Sequence, residues 1–490
     1  MNSDDFRRAA HQAIEDVITY HESLATSTDP PLSQVKPGYL RPLVGTNIPE
    51  LPEAWKDIHG DIESKIFPGI THWQHPNFFA YFPANFSYAG LLGDIYSTMF
   101  TCAAFNWQCS PAITELETIV LDWFQEAIGL PTEFSSKNGH GGGVLQGTAS
   151  EAVVVAMMAA RERMGEGDVW ALCSDQSHSS VVKAGKITRV KTHSIEAPPP
   201  EFGLTITSVE EGIAHVESQG GRVCMLVLTL GTTSSCAVDD IPGIQEYITR
   251  HHPEIWVHVD AAYAGAALIC PELRPFNIPL VDSFNFNLHK WLLVPLDASA
   301  MYVRQRTDIT SALSIVPFYL KNKSSDSGDV IDYRDWGIPL GRRFRSMKIW
   351  LVARTSGLSG MQQHIRKGVR LGELFAGLVE SSKELHIFTQ PRFGLTVFRV
   401  DNDDELTRRT YERINGDGKI FLTCTLMNGK YAIRLVSGGQ NSQESHIRNA
   451  FEIIVNAARI EAGVENSKEV DERTVESEHV EHTPAVARGV

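Results

Sequence analysis

Four short apolar runs rich in β-branched or aromatic residues, VWALCS, CMLVLTL, IWVHVDAAY and SFNFNLHKWLLV, fall between residues 169 and 294. Runs of this length suit strands covered on both faces. Helical or loop sequence separates most of them, which is the pattern of strands joined by crossovers. Residues 87–350 are therefore expected to form a large α/β domain around a mostly parallel sheet. Ahead of it, residues 1–86 begin with DDFRRAAHQAIEDVITYHESL, where Phe6, Ala10, Ile14, Val17 and Ile18 share one helical face. The proline-broken stretch DPPLSQVKPGYLRPL then forces extended chain. Such an arm folds poorly alone and is expected to lie on the rest of the protein or on a second subunit. Residues 351–464 read as helix, the strand GLTVFRV, the helix DELTRRTYERI and the strand YAIRLVS, a smaller α+β domain. Residues 465–490, with seven acidic and three basic residues, are expected to form a disordered tail.

Charge and cysteine usage narrow the function. Lys and Arg total 44 against 59 Asp and Glu in 490 residues, a net charge of −15. That opposes a nucleic-acid binder tracking phosphates with clustered positive charge. No run of about 18 apolar residues suggests a membrane span, and MNSDDFRRAA lacks a signal layout. The seven cysteines, Cys102, Cys109, Cys173, Cys224, Cys236, Cys270 and Cys424, include no CxxC pair. Neither a disulfide framework nor a thiolate zinc site is expected, and a reducing cytoplasm fits best.

Three segments carry chemistry. In SFNFNLHKWLLV, Lys290 sits among aromatic and aliphatic neighbours. It is either a snorkelling strand-edge lysine or a desolvated amine able to attack a carbonyl. Thirty residues earlier, Asp260 ends the strand IWVHVD. Its carboxylate could form an ion pair, bind a metal or hold a protonated pyridine nitrogen, and no ligand cluster at metal spacing surrounds it. In GHGGGVLQGTASEA a glycine-rich turn runs into a helix opening at Thr148 to Ser150. Free N–H groups there make an anion site, although the run matches no nucleotide fingerprint. An amine, a pyridinium partner and a phosphate site are together the three handles of pyridoxal 5′-phosphate.

With these motifs in view, the chain resembles the aromatic-L-amino-acid decarboxylases, the pyridoxal-phosphate family that includes tryptophan, tyrosine and DOPA decarboxylases. The resemblance runs from about Gly38 to Ser437 through THWQHPNFFAYFPA, SDQSHSSVVKAG, TLGTTSSCAVDD, VHVDAAYAG and DYRDWGIPLGRRFRS. It implies the fold of type I pyridoxal-phosphate transferases: a mostly parallel seven-stranded sheet, a smaller α+β C-terminal domain and an N-terminal helical arm packed on the partner of a homodimer with shared active sites. Lys290 matches the Schiff-base lysine, Asp260 the partner of the pyridine nitrogen and His178 the imidazole stacked on the cofactor. Ala149, Ser150, Asn287 and His289 match phosphate-contacting positions, and Thr233 a threonine near the cofactor. Tyr319, in VPFYLKNKSSDSGD, matches a lid tyrosine that returns a proton to the substrate α-carbon. Trp73, Tyr81, Phe82, Pro83, Ala84, Phe105, Leu296 and Gly341 match the substrate pocket. Leu288, Pro295, Leu296 and Ala84 depart from common family residues, and Gly341 stands where indole-using plant members tend to carry glycine.

The reaction this implies is decarboxylation of aromatic L-amino acids to amines. Tryptophan to tryptamine is favoured, with activity on 5-hydroxytryptophan, phenylalanine, tyrosine or DOPA. Phenol preference and aldehyde synthesis are alternatives on the same scaffold. Glutamate would need a cationic side-chain clamp that the aromatic residues do not offer. A catalytically silent binding protein is opposed by intact Lys290, Asp260, His178 and Tyr319.

Overall fold

A computed structural model describes residues 1–27, 29–315 and 330–464. Seven strands make the large sheet: β1 (Gly142–Gln146), β2 (Val169–Ser174), β3 (Lys191–Ile195), β4 (Arg222–Thr229), β5 (Trp256–Asp260), β6 (Ser283–Asn287) and β7 (Ser299–Val303). Their order is β1-β7-β6-β5-β4-β2-β3. All neighbours pair in parallel except β7, which runs antiparallel to both β1 and β6. Both faces are covered, and the alternation along each strand divides the core. Leu226, Leu228, Val257 and Val259 pack into one apolar cluster, whereas Met225, Val227 and Trp256 pack into a second. The second also holds Ala152 to Met157 of the helix Ala149–Met164, so this helix lies on the face that carries Trp256.

The four apolar runs all contain strands, with one correction. SFNFNLHKWLLV is extended only to Asn287; Leu288–Trp291 forms a helical turn, which lifts Lys290 off the strand. Strands β1, β3 and β7 were not marked by the apolar runs. In the smaller domain GLTVFRV and YAIRLVS become β9 (Leu395–Val400) and β11 (Lys430–Val436). With β8 (Leu385–Ile387) and β10 (Thr423–Met427) they form an antiparallel sheet of order β10-β11-β9-β8. The helix Arg345–Glu380 runs through the expected boundary at 350/351, so one rod belongs to both domains. It bends at Gly357, where φ is 62°.

The N-terminal helix Ser3–Thr26 opens on a capping box in which Asn2 and Asp5 satisfy each other's backbone N–H groups. Only Ala9 and Leu24 of it are buried. It contacts the rest of the arm and the helix that follows: Tyr20 Oη lies 2.9 Å from His72 Nδ1, and His21 stacks on Phe86 at 3.9 Å and meets Tyr88 edge-on at 5.9 Å. The expected tail, 465–490, lies outside the described residues.

Candidate active site

β1 points the same way as β6, since each is antiparallel to β7. The carboxyl ends of β1, β2, β4, β5 and β6 therefore share one edge of the sheet, where ligands of open α/β sheets bind. His178 follows β2, Thr233 follows β4, Asp260 ends β5 and Asn287 ends β6. Thr148 caps the helix that follows β1, its Oγ1 accepting the Glu151 N–H at 3.3 Å. Together they enclose an inner cavity of about 200 Å³. Ala149, Ser150, His178, Thr233, Asp260, Asn287, His289 and Lys290 all line it.

An outer cavity of about 510 Å³ shares His178, Thr233, His289 and Lys290 with the inner one. Trp73, Tyr81, Phe82, Pro83, Ala84 and Leu296 make it largely aromatic and apolar. The segment carrying these residues is held from both domains. Phe79 donates to Phe421 O at 3.0 Å and accepts the Val436 N–H at 3.0 Å. Asn85 Nδ2 lies 3.2 Å from Lys290 O, 3.4 Å from Trp291 O and 3.2 Å from Gly438 O.

Burial sets the protonation states. Desolvation holds Lys290 below the ordinary lysine range, with Arg434 acting in the same direction and Asp260 opposing. No hydrogen bond from Lys290 Nζ occurs among the described residues, and the ammonium sits 5.4 Å from the Phe82 ring centroid. Desolvation, then the Lys290 charge, pushes His289 down to about 4. His178 is also lowered, first by desolvation. The Ala298 N–H donates to His289 Nδ1 at 2.8 Å and the Ser180 N–H to His178 Nδ1 at 3.2 Å. Each neutral ring thus carries its hydrogen on Nε2. Asp260 Oδ1 accepts the Ala262 N–H at 2.9 Å.

A conserved domain described as the pyridoxal-dependent decarboxylase domain matches residues 37–401. The chain belongs to that family. This decarboxylase is 41% identical over 472 residues to the aromatic-L-amino-acid decarboxylase of Cavia porcellus, covering 93% of this chain and 97% of the relative. It is 40% identical over 480 residues to tyrosine decarboxylase 2 of Narcissus pseudonarcissus, covering 94% and 95%. A crystal structure of Oryza sativa TDC with PLP and tryptamine superposes with a TM-score of 0.90 at 35% identity, covering 94% of this chain and 99% of that one. The decarboxylase thus shares its fold with an enzyme solved with pyridoxal phosphate. Among the described residues, no helix is long and apolar enough to cross a membrane.

Two expected pocket residues stand apart from both cavities. Phe105 lies on a loop whose carbonyls hold the segment before the long helix: Ala103 O accepts the Arg342 N–H at 2.7 Å and Phe105 O the Arg334 N–H at 3.1 Å. Gly341 is exposed beside Arg342, with no atom within 4 Å of where a Cβ would stand. These two bonds stitch the segments together. Tyr319 lies outside the described residues. The sequence reading missed Arg434, which lines the outer cavity from β11. Its Nη1 donates to Thr423 Oγ1 at 3.0 Å, while Nε and Nη2 are buried without a partner among the described residues. An arginine inside the apolar strand YAIRLVS was the available signal.

Proposed function

We propose that this decarboxylase converts aromatic L-amino acids to amines and carbon dioxide, with tryptophan favoured, and that its inner cavity holds pyridoxal 5′-phosphate. What carries the reading is one juxtaposition: a desolvated amine, a carboxylate and a helix N-terminus around one cavity, opening into an aromatic one. The donor set fits the cofactor. Lys290 Nζ is free of hydrogen bonds among the described residues, Asn287 Oδ1 is buried without a partner, and the first N–H groups of the helix Ala149–Met164 suit a phosphate. Bound there, the cofactor supplies an electron sink for the charge left when carbon dioxide departs.

The chain's own residues do the rest. Lys290 would hold the cofactor through its desolvated amine. Asp260 keeps a proton on the pyridine nitrogen. His178 and His289 offer Nε2–H donors to the cofactor. Arg434 receives the substrate carboxylate on its unpaired nitrogens and fixes the bond to be broken. The aromatic walls exclude water and hold the ring. Tyr319 returns a proton to the α-carbon.

The working unit in this reading is a homodimer in the cytoplasm. Tyr88, Leu92, Ile95, Tyr96, Met99 and Phe100 leave one face of the helix Tyr88–Phe100 apolar and exposed. A second copy covers that face and the N-terminal arm, and brings its own Phe105 and Gly341 to this chain's outer cavity. All seven cysteines are free, which suits the cytoplasm. Product analysis with tryptophan, 5-hydroxytryptophan, phenylalanine, tyrosine, DOPA, histidine and glutamate tests the substrate class. Amine from histidine or glutamate alone would overturn it. Mixed Lys290→Ala and Tyr319→Phe subunits are expected to regain partial amine formation; a fully active monomer would remove the shared site.

A further inference from the structure

Behind the inner cavity, four buried side chains form a line of hydrogen bonds that the proposed chemistry does not use. Trp256 Nε1 lies 2.7 Å from Ser283 Oγ, which lies 2.7 Å from His258 Nδ1; His258 Nε2 lies 2.9 Å from Asn285 Oδ1. None of the four is more than 1% exposed. The direction of each proton follows from the first donor. An indole N–H can only donate, so Ser283 Oγ accepts from Trp256; among the described residues the one acceptor left for its own hydrogen is His258 Nδ1. The imidazole then carries its hydrogen on Nε2 and donates it to Asn285 Oδ1. Desolvation holds that ring neutral, pushing His258 down to about 4 against the opposing pull of Asp260 and Asn285.

This chain of donors orients the Asn285 amide. Its oxygen is engaged, so its nitrogen faces away from His258, and Nδ2 is buried with no partner among the described residues. The register of β5 and β6 sets His258 opposite Ser283 and Asp260 opposite Asn285. Residues two apart on a strand share a face, and His258 touches the side chains of both Ser283 and Asn285. The unpaired amide donor and the Asp260 carboxylate are therefore neighbours on one face of the sheet. A buried donor lacking an acceptor is costly, and the Asp260 carboxylate is the acceptor opposite it across the strand pair.

We propose that His258 and Asn285 are positioning residues for Asp260, with the relay from Trp256 turning the donor end of the Asn285 amide toward the carboxylate. The relay fixes the side chain that stands beside Asp260, and so its placement for the pyridine nitrogen, without touching the cofactor. It rests on the role proposed above for Asp260.

Equilibrium dialysis of pyridoxal 5′-phosphate against apoenzyme, with the visible band of the bound cofactor recorded, tests it. Asn285→Leu keeps the volume and removes the donor; it is expected to weaken cofactor binding roughly tenfold and move the band. His258→Phe releases the amide to flip and is expected to give a smaller loss of the same kind. Asp260→Asn is expected to lose more than either, and adding Asn285→Leu to it should cost nothing further. Unchanged binding and spectrum in Asn285→Leu, beside a loss in Asp260→Asn, overturns the relay and leaves the Asp260 role standing. Additive losses in the double variant overturn it as well. An Asp260→Asn protein that binds normally overturns the Asp260 role, and the relay with it. Should Asn285→Leu fail to fold, as judged by the apoenzyme melt, Asn285→Ala carries the same expectations.

Discussion

Arg434 brings a guanidinium with two nitrogens unpaired among the described residues to a largely aromatic and apolar cavity, 5.3 Å from the centroid of Phe82. Desolvation lowers its proton affinity, so the fold bears a cost there that a bound carboxylate would relieve. Arg434→Met should cut kcat/KM for the amino acid by about 10–100-fold, mostly through KM, as loss of charge-assisted hydrogen bonds requires. Competitive inhibition by the amine product, which has no carboxylate, should barely change. Equal losses for substrate and product would show that Arg434 merely props the wall. A second test concerns Tyr319. Phenylalanine cannot return the proton, so Tyr319→Phe should divert product from amine toward aldehyde, ammonia and peroxide as oxygen is consumed; an unaltered amine yield would end that assignment. At this scale the sequence was readable where chemistry is local. Lys290 and Asp260 are conspicuous as charges among apolar neighbours. Arg434 has the same signature, and Thr423 faces it across the β10–β11 pair, but the Phe82 ring beside it comes from a distant segment that no spacing brings near.

Among the elements, the contact between the helices Tyr88–Phe100 and Arg345–Glu380 depends on Gly93. A Cβ at this position would collide with the backbone of Lys348. Backbone cannot step aside as a side chain tip can, so Gly93→Ala should cost about 1–3 kcal/mol, the range of overpacked cores. Chemical denaturation against wild type measures it, and a loss below 0.5 kcal/mol, the scale of neutral surface changes, would mean the helices slide freely. Gly341→Ser is the contrasting case, because open space surrounds that residue within the chain. Stability should hold while kcat/KM falls more for tryptophan than for tyrosine, by an amount on the order of 1–3 kcal/mol. The strands were legible when buried on both faces, as β4 and β5 are. β3, KTHSI, hid because it is an edge strand with its first four residues incompletely buried. The antiparallel direction of β7 hid because apolar runs encode burial, not polarity along the sheet.

For the whole molecule, acid sensitivity follows from imidazoles kept neutral. Desolvation pushes His258, His289 and His364 each down to about 4. Unfolded histidine titrates near ~6.5, so the unfolded chain binds more protons between these values. Their contribution is complete above about 6.5 and is lost as pH falls toward 4. Asp239 works the other way, because burial raises it to about 6 and its contribution fades as pH rises through that value. Three groups outweigh one, so the melting temperature of the apoenzyme should drop between pH 7 and pH 5, by several degrees on the order of 1 kcal/mol or more. A flat profile over that range would mean water reaches these rings.

The sheet order also dictates a schedule. β1 ends in the turn that leads to the helix Ala149–Met164, and its one strand neighbour in the seven-stranded sheet is β7, which starts at Ser299. During synthesis, the first strand of the sheet must wait for the last before it gains a place in the ladder. A nascent chain released before β7 emerges has the helix Ala149–Met164 but no fixed edge to aim it, so capture of the cofactor comes late, after the sheet has closed around a reversed strand.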